Sequence, residues 1–357
     1  MQVKKIFIIV PSAKFESPVQ GAIAMANQLI KSYPLVFVTL KKSKSISYSL
    51  NKKIEYIELH ENGNLINRLN FLKKMMSESG KKDSIASISI GFSADFFNSL
   101  MCDYALTISS IRGNLPVVYK NNFGWIGKYI AYIHLKRLKK IDYIVSMTLS
   151  MSKMVEALTS LKSPIIGNFI DEDLLVLHRR KEKNIKAFRF IFVGSLIHGK
   201  QPELILLAID KILKKGIKAR LDIFGDGPLM KDLNNLSSRL NLNKHIFFHG
   251  YKINPFAEIA KSDVMVIPSI SEGVSRAVLE ALYLGVPCVM RDIDGNSELI
   301  TSGVNGELFN ANADLEKVMI DTAIYSRSKE MFREILTPTI FRQNFASKQI
   351  INLIQNH

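Results

Sequence analysis

The chain has 357 residues, 47% hydrophobic and 9% aromatic, with two cysteines and a formal charge of +16. That composition excludes a disordered polar chain and a disulfide-stapled miniprotein, and predicts two domains with ample cores. No stretch approaches the roughly 18 to 20 uninterrupted apolar residues of a membrane span, and the apolar run Ile6–Val10 is too short for a signal peptide.

Cys102 and Cys288 lie far apart among apolar residues and read as core thiols in a reducing compartment, so a cytoplasmic location is expected. The charge is uneven. Residues 1–163 hold 23 Lys/Arg against 10 Asp/Glu, net +13, whereas residues 164–357 carry only +3. Lysines cluster at Lys41–Lys44, Lys52–Lys53, Lys73–Lys74, Lys81–Lys82 and Lys136–Lys140. A basic half implies an anionic partner, and a membrane surface or a phosphorylated acceptor fits better than nucleic acid. No basic–aromatic recognition motif supports nucleic-acid binding.

Taken in order, the first half opens with a strand at Lys5–Val10, a loop from Pro11 to Gly21 and a helix over Ala22–Lys31. Strands follow at Leu35–Leu40, Ile54–Ile57, Ser84–Ile90, Tyr104–Ser109 and Asp142–Met147, with a last short one at Pro164–Gly167. Leu65–Met76 has helical spacing, and Met151–Ser160 reads as a helix. A helix over Trp125–Lys139 is predicted to bury Ile126, Tyr129, Ile130, Ile133 and Leu138. The polar stretch 171–187 reads as a linker between domains at 1–170 and 188–335.

The second half restarts the alternation. Strands are predicted at Arg189–Val193, Leu221–Phe224, Ile246–His249, Val264–Ile267 and Val289–Met290, with amphipathic helices between them. Near-continuous apolar strands alternating with helices mean parallel sheets covered on both faces. Residues 336–357 close the chain with an apolar-striped helix at Ile340–Ile354.

Ligands of open parallel sheets bind beyond the carboxyl ends of the strands. Five predicted strand ends of the second half carry candidate ligand residues: Gly194, Ser195 and Lys200; Gly225 and Gly227; Gly250, Tyr251 and Lys252; Ser269–Ser275; and Asp292–Glu298. Glycines there allow close approach to the backbone. Glu272 lies in the fourth loop and Glu280 about a turn and a half into the next helix, which is predicted to start at the N-cap Ser275. The amides of Gly273, Val274 and Ser275 are set at that helix's N-terminus, which attracts phosphate. Together these groups suit a base, a ribose, a diphosphate and a hexose.

Pro268–Pro287 resembles the signature of the retaining family 4 glycosyltransferases: two glutamates separated by seven residues, in a Pro-Ser-x-x-Glu-Gly and Leu-Glu-Ala-x-x-x-Gly-x-Pro frame. The likeness is strong over residues 188–310. It implies the GT-B fold, an α/β architecture of two Rossmann-like domains facing a cleft, with the last helix crossing back to the first domain. It further implies that Glu272 contacts the donor hexose, Lys200 the diphosphate and Glu280 the ribose. The amides of Gly273–Ser275 would meet hexose and diphosphate, and Tyr251 or Lys252 would border the base. Glu272 and Lys200 are the expected catalytic residues, with no metal and no cofactor beyond the nucleotide-sugar substrate.

Two positions depart from the family. Ser195 stands where relatives have a second diphosphate cation, a role left to Lys200 alone or to Arg276 or Lys252. No histidine lies between His60 and His134, where relatives have one facing the donor sugar. Gly21, Asp95, Arg112 and Asn114 are expected to line the acceptor side. The resemblance implies hexose or N-acetylhexosamine transfer, a uridine diphosphate donor being favoured, to a lipid-linked or oligosaccharide acceptor of a surface polysaccharide, and the basic first domain points to the inner membrane face. The alternatives are a nucleotide-sugar epimerase or hydrolase of the same fold and a non-enzymatic nucleic-acid-binding protein.

Overall fold

The computed structural model describes residues 3–12, 17–42, 50–179, 186–293, 295–328 and 335–357. Part of the Pro11–Gly21 loop, Lys44, most of the charged tail of the expected linker and Asp294 lie outside them. The chain forms two compact units, Met1–Ile170 with Thr339–His357, and Asp171–Pro338.

The first unit is built on six parallel strands: β1 (Lys5–Val10), β2 (Leu35–Thr39), β3 (Glu55–Glu58), β4 (Ile85–Ser89), β5 (Leu106–Ile111) and β6 (Tyr143–Ser146). Their order is β3-β2-β1-β4-β5-β6. Side chains alternate across β1 because the strand repeat is two. Ile6, Ile8 and Val10 face one core with Ala22, Met25 and Leu29 of the Ser17–Leu29 helix. Phe7 and Ile9 face the other with Leu72, Met76 and Phe97. Each fully buried aliphatic or aromatic side chain contributes roughly 1.5 to 3 kcal/mol.

The last helix, Gln343–Gln355, joins the first of these cores through Ala346, Ile350 and Ile354, and Gln355 Nε2 donates to Tyr33 Oη at 2.8 Å. Gly167 fits under this segment, since a Cβ there would lie 2.7 Å from the Ile340 carbonyl oxygen.

The structure revises several elements. Gly21 lies inside the Ser17–Leu29 helix, not at the end of a loop. A helix at Leu115–Phe123 occupies a stretch to which the sequence pattern assigns no element, started by Asn114, whose Oδ1 accepts from the Val117 amide at 3.4 Å. The following helix, Gly127–Leu138, buries Leu138 and partly buries Ile130 as expected, but turns the rest of the expected stripe outward. Gly127, Ala131, His134 and Leu138 are buried, while Ile126, Tyr129 and Ile133 are exposed. The inward stripe has smaller residues, and this permits close packing. At Gly127 a Cβ would collide with the Tyr119 carbonyl of the neighbouring helix.

The second unit repeats the plan with β7 (Phe188–Val193), β8 (Ala219–Phe224), β9 (Ile246–Phe248), β10 (Val264–Ile267), β11 (Cys288–Arg291) and β12 (Gly306–Phe309). The order is β12-β11-β10-β7-β8-β9, all parallel. Both sheets thus reverse direction of winding at one point, between β1 and β4 and between β7 and β10. Asp171–His178, expected as linker, is folded: Asp171 caps the short helix Glu172–Leu175, accepting from the Leu174 amide at 3.1 Å, and Leu175 is fully buried.

Candidate functional site

By the general rule for open parallel sheets, the switch in winding between β7 and β10 marks a ligand crevice at their carboxyl ends. Lys200 follows β7, in the turn His198–Lys200, and Glu272 follows β10. The two meet there as an ion pair, Lys200 Nζ to Glu272 Oε1. Ser269 Oγ donates to the same Glu272 oxygen at 2.8 Å. The loops are also tied through their backbones, the Ile270 amide donating to the Gly199 carbonyl at 3.0 Å. Glu272 is nearly enclosed, its side chain 8% exposed, whereas Lys200 at 25% reaches solvent.

The helix after this loop, Arg276–Tyr283, starts at Ser275, which has extended backbone and makes no side-chain cap. Its dipole therefore meets the loop without a capping hydroxyl. One turn in, Arg276 Nη2 donates to Glu280 Oε1 at 2.8 Å. Burial raises the Glu280 carboxyl above the ordinary carboxylate range, and the Arg276 guanidinium pulls it part of the way back. Arg276 Nε is buried and makes no hydrogen bond.

Gly194, Gly225 and Gly227 serve the floor of the crevice. The Gly194 amide donates to the Phe224 carbonyl at 3.0 Å, and the Leu196 amide to the Asp226 carbonyl at 2.9 Å. A Cβ at Gly225 would strike the Gly194 carbonyl, and one at Gly227 would lie 2.5 Å from the Leu196 oxygen. These glycines let the β7 and β8 loops lie against each other, a role in shaping the floor that close approach to a ligand alone does not account for. Ser195 lies between them in sequence.

Other candidates are less converged. Lys252 Nζ donates to Glu258 at 2.7 Å on an exposed surface, and Tyr251 is mostly exposed. Three residues that the sequence pattern does not single out, Gln201, Arg291 and Asn312, stand behind the loops. Arg291 Nη2 donates to Gln201 Oε1 at 2.8 Å and to Asn312 Oδ1 at 2.7 Å. Arg291 also stacks over Phe309, 4.8 Å from the ring centre, and its Nε donates to the Pro268 carbonyl at 3.3 Å. An arginine closing an otherwise apolar strand was the available signal.

In the first unit, Gly21, Arg112 and Asn168 come together: Arg112 donates to Asn168 Oδ1, and a Cβ at Gly21 would lie 2.8 Å from that oxygen. Asn114 acts as a helix cap. Asp95 does not line a surface. It is fully buried, accepts from Ser89 Oγ at 2.6 Å and Ser109 Oγ at 2.7 Å, and meets His134 Nε2 at 2.8 Å. With Nε2 donating to the carboxylate, His134 Nδ1 is left to accept from Tyr119 Oη. Burial, with Asp95 nearby, raises the Tyr119 phenol above its ordinary range and keeps it protonated as that donor. Among the described residues one cluster has a metal-ligand composition, Glu58, His60 and Glu61, and it belongs to this unit, not to the Lys200–Glu272 crevice.

The chain superposes on an Anabaena protein, HepE, solved in complex with UDP, with a TM-score of 0.78, at 15% identity, over 99% of this chain and 100% of that one. It superposes equally on TarM, with a TM-score of 0.78 at 13% identity over 99% of each chain. The fold is GT-B.

Residues 176–330, within the second unit, match the model of the family described as Glycosyl transferases group 1. The chain is similar to an uncharacterized glycosyltransferase of Methanocaldococcus jannaschii, 29% identical over 206 residues, 55% of this chain and 50% of the relative. It is similar to the UDP-Gal:alpha-D-GlcNAc-diphosphoundecaprenol alpha-1,3-galactosyltransferase of Escherichia coli, 36% identical over 130 residues, 35% of this chain and 33% of that one. The chain thus spans half or less of the length of these curated relatives. Among the described residues no helix of the chain is long and apolar enough to cross a membrane.

Proposed function

We propose that this GT-B protein is a retaining glycosyltransferase that moves a hexose or N-acetylhexosamine from a uridine diphosphate sugar to a lipid-linked glycan. The observation that carries the reading is the Lys200–Glu272 pair, set at the winding switch beside the N-terminus of the helix that holds Glu280. In the absence of donor, the carboxylate and the ammonium neutralise each other. A donor would exchange that contact for two: sugar hydroxyls on Glu272 and diphosphate on Lys200.

As the bond between the anomeric carbon and the diphosphate breaks, negative charge grows on the leaving group. Lys200 and the Gly273–Ser275 amides would stabilise it, and one well-placed donor of this kind is worth about 3 to 4 kcal/mol in the transition state. Arg276 suits the second cation better than Lys252, because it stands at the first turn of the helix that follows Glu272, whereas Lys252 pairs with Glu258 on an exposed surface. Glu280, beside it, would accept from ribose hydroxyls. This inventory needs no metal ion, so transfer should persist in a chelator.

The Anabaena neighbour was also solved with UDP-glucose, which supports a uridine diphosphate donor. The Escherichia coli relative acts on a diphosphoundecaprenol-linked sugar, which supports a lipid-linked acceptor of the kind used in surface polysaccharide (O-antigen or capsule) synthesis. That relative and a Bacillus subtilis poly(glycerol-phosphate) alpha-glucosyltransferase form alpha linkages, as retention from an alpha-linked donor would give. The enzyme would then work at the cytoplasmic face of the membrane as a peripheral protein, consistent with its basic first half.

The test is transfer of labelled hexose from a panel of UDP-sugars to a polyprenyl diphosphate-linked sugar. An alpha-linked product that forms in the presence of a chelator agrees with the proposal. Release of free sugar or of an epimer, with no acceptor product, would instead favour the hydrolase or epimerase.

A further inference from the structure

The two helices Leu115–Phe123 and Gly127–Leu138 form a hairpin through the turn Gly124–Ile126. Its inner face is fixed by the Gly127 contact with Tyr119 and by the Tyr119–His134–Asp95 chain of hydrogen bonds. The outer face is left open by the described residues. Trp125 is 78% exposed, Tyr129 and Tyr132 are each 66% exposed, and Ile126, Ile133 and Phe123 are about half exposed. Tyr129, Tyr132, Ile133 and Lys136 fall at i, i+3, i+4 and i+7, which places them on one side of the helix. Six large apolar or aromatic side chains in contiguous exposure are unusual for a free surface.

Charge decides what covers this face. No acidic residue occurs between Asp103 and Asp142, while Lys120, Lys128, Lys136 and Lys139 stand exposed along the same hairpin. A second copy of the chain would bring the same positive charge to the contact and be repelled. An anionic surface is attracted, and amphipathic tryptophan and tyrosine rings favour the boundary between headgroup and acyl chain.

We propose that this hairpin is the element by which the protein docks on an anionic lipid bilayer, its turn and the outer face of Gly127–Leu138 lying in the interface with Trp125 at headgroup depth. The proposal names the contact for the membrane-bound acceptor proposed above and rests on that reading for its use. Its test needs neither donor nor acceptor.

Trp125 is the single tryptophan of the chain, so its fluorescence reports this face alone. The full protein is titrated with vesicles of phosphatidylcholine, with and without phosphatidylglycerol, and with brominated lipids as quenchers. Anionic vesicles should shift the Trp125 emission to the blue and make it quenchable, with partitioning that weakens as salt rises. Tyr129→Ser with Ile133→Ser should lower partitioning at least tenfold, and Lys128→Gln and Lys136→Gln about fivefold each, with unchanged melting curves.

An unshifted, unquenched Trp125 in wild-type protein would overturn the proposal without recourse to any variant. So would equal partitioning into neutral vesicles, or variants that bind as wild type does. A dimer by light scattering that the Tyr129/Ile133 variant dissociates would assign the face to a second copy instead. Donor binding measured without vesicles separates the two readings. Loss of lipid docking with intact UDP-sugar binding sinks this inference alone, and the reverse sinks the transferase reading alone.

Discussion

Lys200 and Glu272, 72 positions apart, meet at the carboxyl ends of β7 and β10, where the second sheet changes its direction of winding. The fold brings them together by strand order and not by nearness in sequence. The pair is asymmetric, with the carboxylate nearly enclosed and the ammonium open to solvent. Lys200→Ala and Glu272→Ala should each lower kcat/KM by about 10² to 10³. Stability should fall by only about 1 to 2 kcal/mol, because solvent reaches the lysine. The double variant should cost much less than the sum of the two. Steady-state kinetics with thermal melts check all three.

The glycines of the crevice floor differ sharply in tolerance. Gly225→Ala forces a methyl group into the Gly194 carbonyl, and backbone must move. A loss of at least about 2 kcal/mol is expected, with weakened nucleotide binding. Gly199→Ala is the control from the adjoining turn. A methyl group there would meet no atom within 4 Å, so stability should stay within about 0.5 kcal/mol of wild type in urea melts.

Asp222 on β8 gives a pH dependence. Burial pushes its carboxyl up, but hydrogen bonds from Arg220 and His249 and the nearby charge of Arg189 outweigh that and hold it below the usual range. A carboxyl depressed in the folded state adds stability above its unfolded value, about pH 4, and loses it as pH falls through the folded one. Asp222→Asn should therefore cost roughly 2 to 4 kcal/mol at pH 7. The gap from wild type should narrow steadily below pH 4. A constant gap across the acid range would contradict this.

His134 holds a fully buried carboxylate in the first unit. His134→Phe leaves Asp95 without that partner and should destabilise by about 2 to 4 kcal/mol. His134→Phe with Asp95→Ala should recover part of the loss. The proposed donor site lies in the second unit, so affinity for UDP should hold in both variants wherever they remain folded by circular dichroism.

Much of the second unit is legible in the sequence. The short apolar strands, the glycines at their ends and the Glu272–Glu280 spacing all report local geometry, and strand ends of a parallel sheet converge by rule. The contact of Lys200 with Glu272 follows once both are placed at neighbouring strand ends. The first unit is less open to reading. Asp95 and His134 are joined by tertiary packing across 39 positions, and nothing local marks either as buried. The Gly127–Leu138 helix carries two stripes of helical spacing. Hydrophobicity favours the more apolar stripe as the inner face, yet that place goes to the stripe with glycine, alanine and histidine, which the Tyr119 backbone can approach closely. Arg291 is marked in sequence only by closing an apolar strand, and its tie between the loops after β7, β10 and β12 becomes visible only once the sheet brings those loops together.

In the proposed reading, the crevice between β7 and β10 holds a nucleotide-sugar through Lys200 and Glu272. Calorimetric titration of UDP-glucose and related UDP-sugars into wild-type protein and Lys200→Ala is the decisive test. Wild type should bind saturably at one to one, and the variant should lose at least tenfold in affinity with its melting curve little changed. Binding of equal affinity in the variant, or no binding of any UDP-sugar to folded wild-type protein, would contradict that reading.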